Sequence, residues 1–198
     1  MKQLKMLRFM DPISPVPLDP NYYIRNICEK EPGEIDSWVE ICKNQLIGEN
    51  GTKDDYTTYI TNKPIVNPDK DVFFVCEYGS GRPVATLTAH LDEFGDGWIH
   101  MVGSLPEIRG KKLGQAMLAR GLEKLASDGV SRVWLTTDAW RLPAIRIYLK
   151  AGFKPMIGGS AEDIKWMEEN WNQVFEKLHC ADRICLYEKG EIRVGKES

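Results

Sequence analysis

RGKKLG, residues 109–114, lies between the apolar run GWIHMVGSLP (97–106) and the helical pattern QAMLARGLEKLA (115–126). Where a strand hands over to a helix, the first backbone N–H groups of the helix are left unpaired, and the helix dipole adds partial positive charge there. Gly110 and Gly114 let a ligand come close to the backbone, while Arg109, Lys111 and Lys112 supply formal charge. The stretch reads either as a phosphate cradle or as a basic, solvated helix start. A P-loop is excluded, because Leu105 stands where its first glycine belongs and Lys112 where Ser or Thr belongs. GDGWIH (95–100) fails as a dinucleotide fingerprint, with His100 at the third glycine position.

Outward from this point the periods alternate. Upstream, DVFFVCEYGSGRPVATLTAHLD (71–92) gives two β-rich runs joined by the hairpin signal GSGR, and GWIHMVGS adds another strand. Further upstream, YYIRNICE (22–29) reads as the first strand. EIDSWVEICKNQLIG (34–48) reads as a helix with Ile35, Trp38, Val39, Cys42 and Leu46 on one face and Gly48 as its cap. Residues 56–61 are weakly helical. Four prolines in DPISPVPLDP (11–20) rule out helix and interior strand there, so residues 1–20 are expected to form an arm leading into one domain over 21–198.

Downstream, Leu118, Leu122 and Leu125 mark a helical stripe ended by SDGV. RVWLTTD (132–138) is a strand, and LPAIRIYLKAG (142–152) is a short helix with Pro143 in its first turn and Gly152 past its end. Residues of about 161–179 form a longer amphipathic helix with Ile164, Met167, Trp171, Val174 and Leu178 on one face, expected to close a sheet edge or to join two subunits of a homodimer. RICLYE (183–188) is the last strand before a charged tail. A hairpin followed by alternating strands and helices indicates a mixed α/β fold.

The composition narrows the function. A 198-residue chain with 42% hydrophobic residues and net charge −3 suits a globular domain and argues against a nucleic-acid or membrane-surface binder. An anionic ligand must then be met by a local basic cluster. Five cysteines without a C-x-x-C pair favour free thiols, and no run reaches a membrane span, so a cytoplasmic location is expected. No His/Cys/Asp cluster has metal-ligand spacing, and no metal is expected.

The second informative stretch is RLPAIRIYLKAGF (141–153). Ala144, Tyr148 and Ala151 stand at i, i+4 and i+7, which sets a phenol between two small residues on one helix. Taken alone, Tyr148 reads first as a packed core residue.

The two stretches together resemble the GNAT N-acetyltransferases. That family's acetyl-CoA motif, [QR]-x-x-G-x-[GA], is matched by Arg109, Gly110, Lys111, Lys112, Leu113 and Gly114, with Lys112 in place of its glycine. Its second signature, N-x-x-A-x-x-x-Y-x-x-x-G-F, is matched by Ala144, Tyr148, Gly152 and Phe153, with Arg141 in place of its asparagine. The wording of LPEIRGKKLG and LTTDAWRLPAIRIYLKAGF is similar to the branch around mycothiol-synthase-type acetyltransferases.

The resemblance implies a GNAT-like acyl-CoA N-acyltransferase fold, with a central, mostly antiparallel mixed sheet flanked by helices. It implies acetyl-CoA as donor, lying between the strands GWIHMVGS and RVWLTTD. Backbone groups of Val102, Gly103 and Ser104 would pair with the pantetheine arm, residues 109–114 would hold the pyrophosphate, and Arg141 and Ala144 would complete the cofactor contacts. The acceptor implied is a primary amine of a small molecule, and Tyr148 is the expected acid for the leaving thiolate. For the base, His100 ranks first, alternating with Trp98 and Val102 on the strand; Glu93 acting through water competes, as does a packed, uncatalytic His100. A non-catalytic acyl-CoA sensor, suggested by Lys112 and Arg141, and a protein or peptide N-acetyltransferase are the alternative functions.

Overall fold

The computed structural model describes residues 2–43, 45–63, 65–181, 183–187 and 190–194. In chain order the elements are β1 (Leu4–Phe9), β2 (Tyr22–Asn26), α1 (Glu34–Lys43), α2 (Lys53–Tyr56) running into a π-helical turn (Thr57–Thr61), α3 (Pro68–Asp71), β3 (Val72–Glu77), β4 (Pro83–Leu91) and β5 (Gly97–Ser104). A 3₁₀ turn (Pro106–Ile108) leads to α4 (Leu113–Ser127), β6 (Arg132–Thr137), α5 (Leu142–Lys150), β7 (Lys154–Met156), α6 (Ala161–Leu178), β8 (Ile184–Tyr187) and β9 (Gly190–Arg193). The chain forms two compact units, residues 10–133 and the residues up to Phe9 together with those from Trp134 onward.

In the unit of residues 10–133, β2, β3, β4 and β5 are neighbours in that order, each pair antiparallel. The unbroken apolar run of β3 fits a strand covered on both faces, and Phe73, Phe74, Val75 and Cys76 are all buried. Helix α4 packs on one face through Gly121, where a Cβ would lie 2.7 Å from Leu87 Cδ2 and 3.4 Å from Ile99 Cδ1. On the other face, Gly103 faces Ile41 and Leu46, next to the buried α1 residues Trp38 and Cys42.

Two buried charges are tied down in the same unit. Arg25 of β2 donates twice to Glu34 of α1 at 2.6 Å, and Glu34 also accepts from the Cys28 amide at 3.1 Å. Lys124 of α4 donates to Asp71 and to Ala89 O, fixing α4 to β4 and α3. The expected cap at Gly48 does not form, because α1 stops at Lys43 and Leu46 follows in a turn.

The other unit has the strand order β6-β1-β7-β8-β9. β1 is antiparallel to β7, β7 parallel to β8, and β8 antiparallel to β9. The sheet strands are thus mixed and mostly antiparallel, as expected. The arm reading of residues 1–20 is corrected over Leu4–Phe9, which form an interior strand with Leu4 and Met6 fully buried. Arg8 is buried too, its guanidinium donating to Ala151 O at 2.8 Å and Phe9 O at 3.0 Å. Helix α6 begins with a capping box, Ser160 with Asp163. It buries Met167, Trp171, Val174 and Phe175 within its own unit, against β1 and α5. It covers an interior strand, so the expectation that it closes a sheet edge is not met, and its apolar face is already used within the chain.

The close approach of α4 to β4 yields a test. Gly121→Leu should place a side chain where Leu87 and Ile99 already sit, costing about 1–3 kcal/mol of overpacking. A urea midpoint equal to that of the parent protein would contradict this packing.

Candidate functional site

The cradle stretch is built by its neighbours. Leu105, Ile108 and Leu113 are buried, while Arg109, Gly110, Lys111 and Lys112 between them are exposed. Backbone φ is +87° at Gly110 and +59° at Lys112. The second value explains why the family motif has glycine at this position, since a left-handed conformation costs an ordinary residue about 1–2 kcal/mol. Lys112 is the N-cap of α4 and makes no side-chain cap. The amides of Gln115 and Ala116 donate to Lys112 O at 3.1 and 3.5 Å. Those of Leu113 and Gly114 meet no protein acceptor among the described residues. Leu113 contributes an amide alone, its side chain being core.

The charges divide unevenly. Lys111 Nζ donates to Tyr22 Oη at 2.6 Å and lies over that ring, and this hydrogen bond raises its pKa. Its ammonium is therefore held toward β2. Arg109 and Lys112 have no ion pair or hydrogen bond from their side chains among the described residues. The cradle thus offers two unpartnered amides, two open cations and a third cation held aside. Just upstream, β5 carries a bulge: Thr88 pairs with His100 and Thr86 with Gly103, and Met101 between them has φ +48°. Val102, Gly103 and Ser104 follow it, half-buried.

His100 shares its face of β5 with Trp98, but the bulge at Met101 breaks the expected alternation: beyond it the register sets Gly103, not Val102, on that face. Burial, with His90 and Lys63 nearby, lowers its pKa to about 4. The imidazole is neutral at physiological pH and its ring centroid lies 6.3 Å from that of Tyr59 in the π-helical turn. Glu93 is exposed on the β4–β5 turn, separated from the bulge and the cradle by most of β5. The structure does not bring Glu93 together with the cradle residues. Thr88, directly opposite His100, was not foreseen; its hydroxyl is buried without a partner among the described residues. The hairpin register could have revealed it, by counting back from the turn at 92–96.

In the other unit, α5 presents the second signature. Tyr148 is 6% exposed, its ring edge-on to Phe153 at 6.1 Å, and burial pushes its pKa up to about 12. The phenol stays protonated at neutral pH. Ala144 is half-buried one turn before it. Arg141, at the N-cap, pairs with Asp138 at 3.1 Å and lies over the Trp140 ring at 4.9 Å, so its charge is largely met within its own unit. Among the described residues, no group of His, Cys, Asp and Glu could hold a metal ion.

The family model "Acetyltransferase (GNAT) family" matches residues 24–153, a span that contains both signatures. The chain belongs to this family. A mycothiol acetyltransferase of Saccharomonospora viridis is 34% identical over 94 residues, which are 43% of this chain and 31% of that protein. One from Streptomyces bingchenggensis is 39% identical over 88 residues, covering 43% and 28%. The chain spans about a third of the length of these curated relatives. Among solved structures, a GNAT acetyltransferase of Sphaerobacter thermophilus superposes with a TM-score of 0.62 at 22% identity, covering 77% of this chain and 48% of that one. A chain of the NatC complex bound to Gag peptide and CoA gives 0.56 at 14% identity, covering 66% and 82%. These likenesses show the GNAT fold.

The left-handed Lys112 yields a second test. Lys112→Gly should relieve the backbone, offsetting the entropy that glycine loses on folding, about 0.5–1 kcal/mol. The urea midpoint should be equal to or above that of the parent protein; a clear drop would contradict the strained geometry.

Proposed function

We propose that the protein transfers the acetyl group of acetyl-CoA to a primary amine of a small molecule. The observation that carries this reading is the cradle: unpartnered amides of Leu113 and Gly114 at the start of a 15-residue helix, flanked by the open charges of Arg109 and Lys112. Such amides and cations suit a pyrophosphate. Family membership supports the donor, and the mycothiol acetyltransferases support a small-molecule acceptor. All five cysteines are free, in keeping with a reducing, cytoplasmic setting.

Acetyl-CoA supplies the activated acyl carbon; the amine nitrogen forms a bond to it as the carbon–sulfur bond breaks. The chain's own residues bind, orient and manage protons. The family resemblance would run the pantetheine arm alongside Val102, Gly103 and Ser104, the end of β5 beyond the bulge. Binding both reactants in one geometry supplies much of the acceleration. Tyr148 holds the proton that the leaving thiolate needs. A thiol has an ordinary pKa near 8.5, well below that of this buried phenol, so Tyr148 acts first as a hydrogen-bond donor.

His100 is the base of first choice, acting as a neutral imidazole. Its pKa of about 4 makes it a weak base that is always unprotonated in the working range. The sign follows: a lowered histidine pKa leaves the pH profile of kcat/KM free of a His100 inflection between pH 6 and 8, and activity through this group is lost as pH falls toward about 4. His100→Gln should lower kcat without moving the profile above pH 6. An inflection near 6.5 that vanishes in the variant would contradict the buried, neutral ring.

Calorimetry tests the donor site. Gly114→Asp adds bulk and negative charge beside the unpartnered amides, and acetyl-CoA affinity should fall at least about tenfold; unchanged affinity removes the cradle assignment. Thiol release with a panel of amines tests the activity. In Tyr148→Phe, kcat should fall about 10²-fold with acetyl-CoA affinity near normal. Binding without turnover by the parent protein would make it an acyl-CoA sensor instead.

A further inference from the structure

In the unit that holds β1, β6 and β7, the strands and α6 line an open cleft of about 450 Å³. Its lining includes Lys2, Lys5, Trp134, Met156, Trp166 and Met167, and it shares no residue with either family signature. Lys5 and Met156 are paired across β1 and β7, so both stand on the face that looks into this space. The volume falls within the usual range of small-molecule sites, about 300–1,000 Å³.

The polar groups are unequal. Lys2 Nζ is engaged by Asp163 at 2.8 Å and by Glu162 at 3.5 Å. Asp163 also accepts from Ser160, and the bonds from Lys2 and Ser160 lower its pKa to about 2, so it stays ionised. Gln3 donates to Asp138. Lys5 has no ion pair or hydrogen bond from its side chain among the described residues. One open ammonium therefore borders a space walled by two indoles and two thioethers, surfaces that favour a flat aromatic ring. At Gly158, on the rim, an added Cβ would meet nothing within 4 Å, so the entrance is open.

We propose that this cleft binds an aromatic monocarboxylate of one or two rings, with the ring against Trp134 and Trp166 and the carboxylate on Lys5. A single open cation beside an ionised Asp163 suits one negative charge and disfavours a phosphate dianion. A cationic ligand would be repelled by Lys5, and a neutral one would gain nothing from its exposed ammonium, which stays hydrated.

Three probes of one shape separate these cases: naphthoate, naphthylmethanol and naphthylmethylammonium, titrated into the full chain by calorimetry and ligand-observed NMR. Naphthoate should bind at least about tenfold tighter than the alcohol, with the ammonium weakest, and high salt should shrink the preference. Lys5→Gln should bring naphthoate down to the alcohol, and Lys5→Glu should reverse the order in favour of the ammonium. Lys5 is exposed, so both variants should keep the parent melting temperature. Trp166→Ala should weaken all three probes. The proposal is overturned if the parent protein binds the three alike, if naphthoate shows no saturable binding, or if the salt dependence of the preference is absent. A folded Lys5→Glu that keeps the parent order also overturns it.

Discussion

Leu105, Ile108 and Leu113 bury their side chains on either side of four exposed residues, and this anchoring is what everything at the cradle depends on. Burial of the flanking residues fixes where β5 ends and α4 begins. The backbone between them must then turn back within a few residues, which forces positive φ at Gly110 and Lys112. The same turn leaves the first amides of α4 facing outward. Hydrophobic anchoring and polar exposure are therefore one feature seen from two sides. The position of α4 is in turn held by Gly121 against Leu87 and by Lys124 against Asp71 and Ala89.

Much of this was legible in the sequence because it is local. β5, α4 and α5 follow from a period of two or of 3.6 with glycine or proline at the ends, and the two family signatures fall at their junctions. β1 was hidden for a physical reason. Its partner Met156 lies about 150 residues away, the prolines after it suggest an arm, and its second half carries the buried Arg8, which no alternation rule allows inside. β7 has three residues including Pro155, too short for any period to show. β9 is four residues, GEIR, with two charges, and reads as part of a charged tail.

The candidate site was legible in position and less so in electrostatics. Three cations in RGKKLG look equivalent on the page, but Lys111 is taken by Tyr22, 89 residues earlier. The sequence points to His100 by its place on β5 and says nothing of its surroundings. His90 comes from β4, Tyr59 from the π-helical turn and Lys63 from just beyond it, and burial among them changes what the ring can do. Glu93 is only seven residues before His100, but an extended strand carries successive residues apart at about 3.3 Å each.

The buried guanidinium of Arg8, donating to the Ala151 carbonyl, bears on how the chain is made. Residues 10–133 form a contiguous unit that can collapse as synthesis proceeds, whereas β1 must wait for its sheet neighbours β6 and β7, translated about 130 and 150 residues later. At the usual elongation rate of about 5–20 residues per second, the wait is on the order of ten seconds. Throughout it β1 is an unpaired strand on the ribosome, with Leu4, Met6 and Leu7 uncovered. Lys5 and Arg8 within that strand, with Lys2 just before it, give it the charge that discourages pairing with a neighbouring nascent chain. The cations that the finished fold uses for a pocket and a buried bond would serve, during synthesis, as gatekeepers.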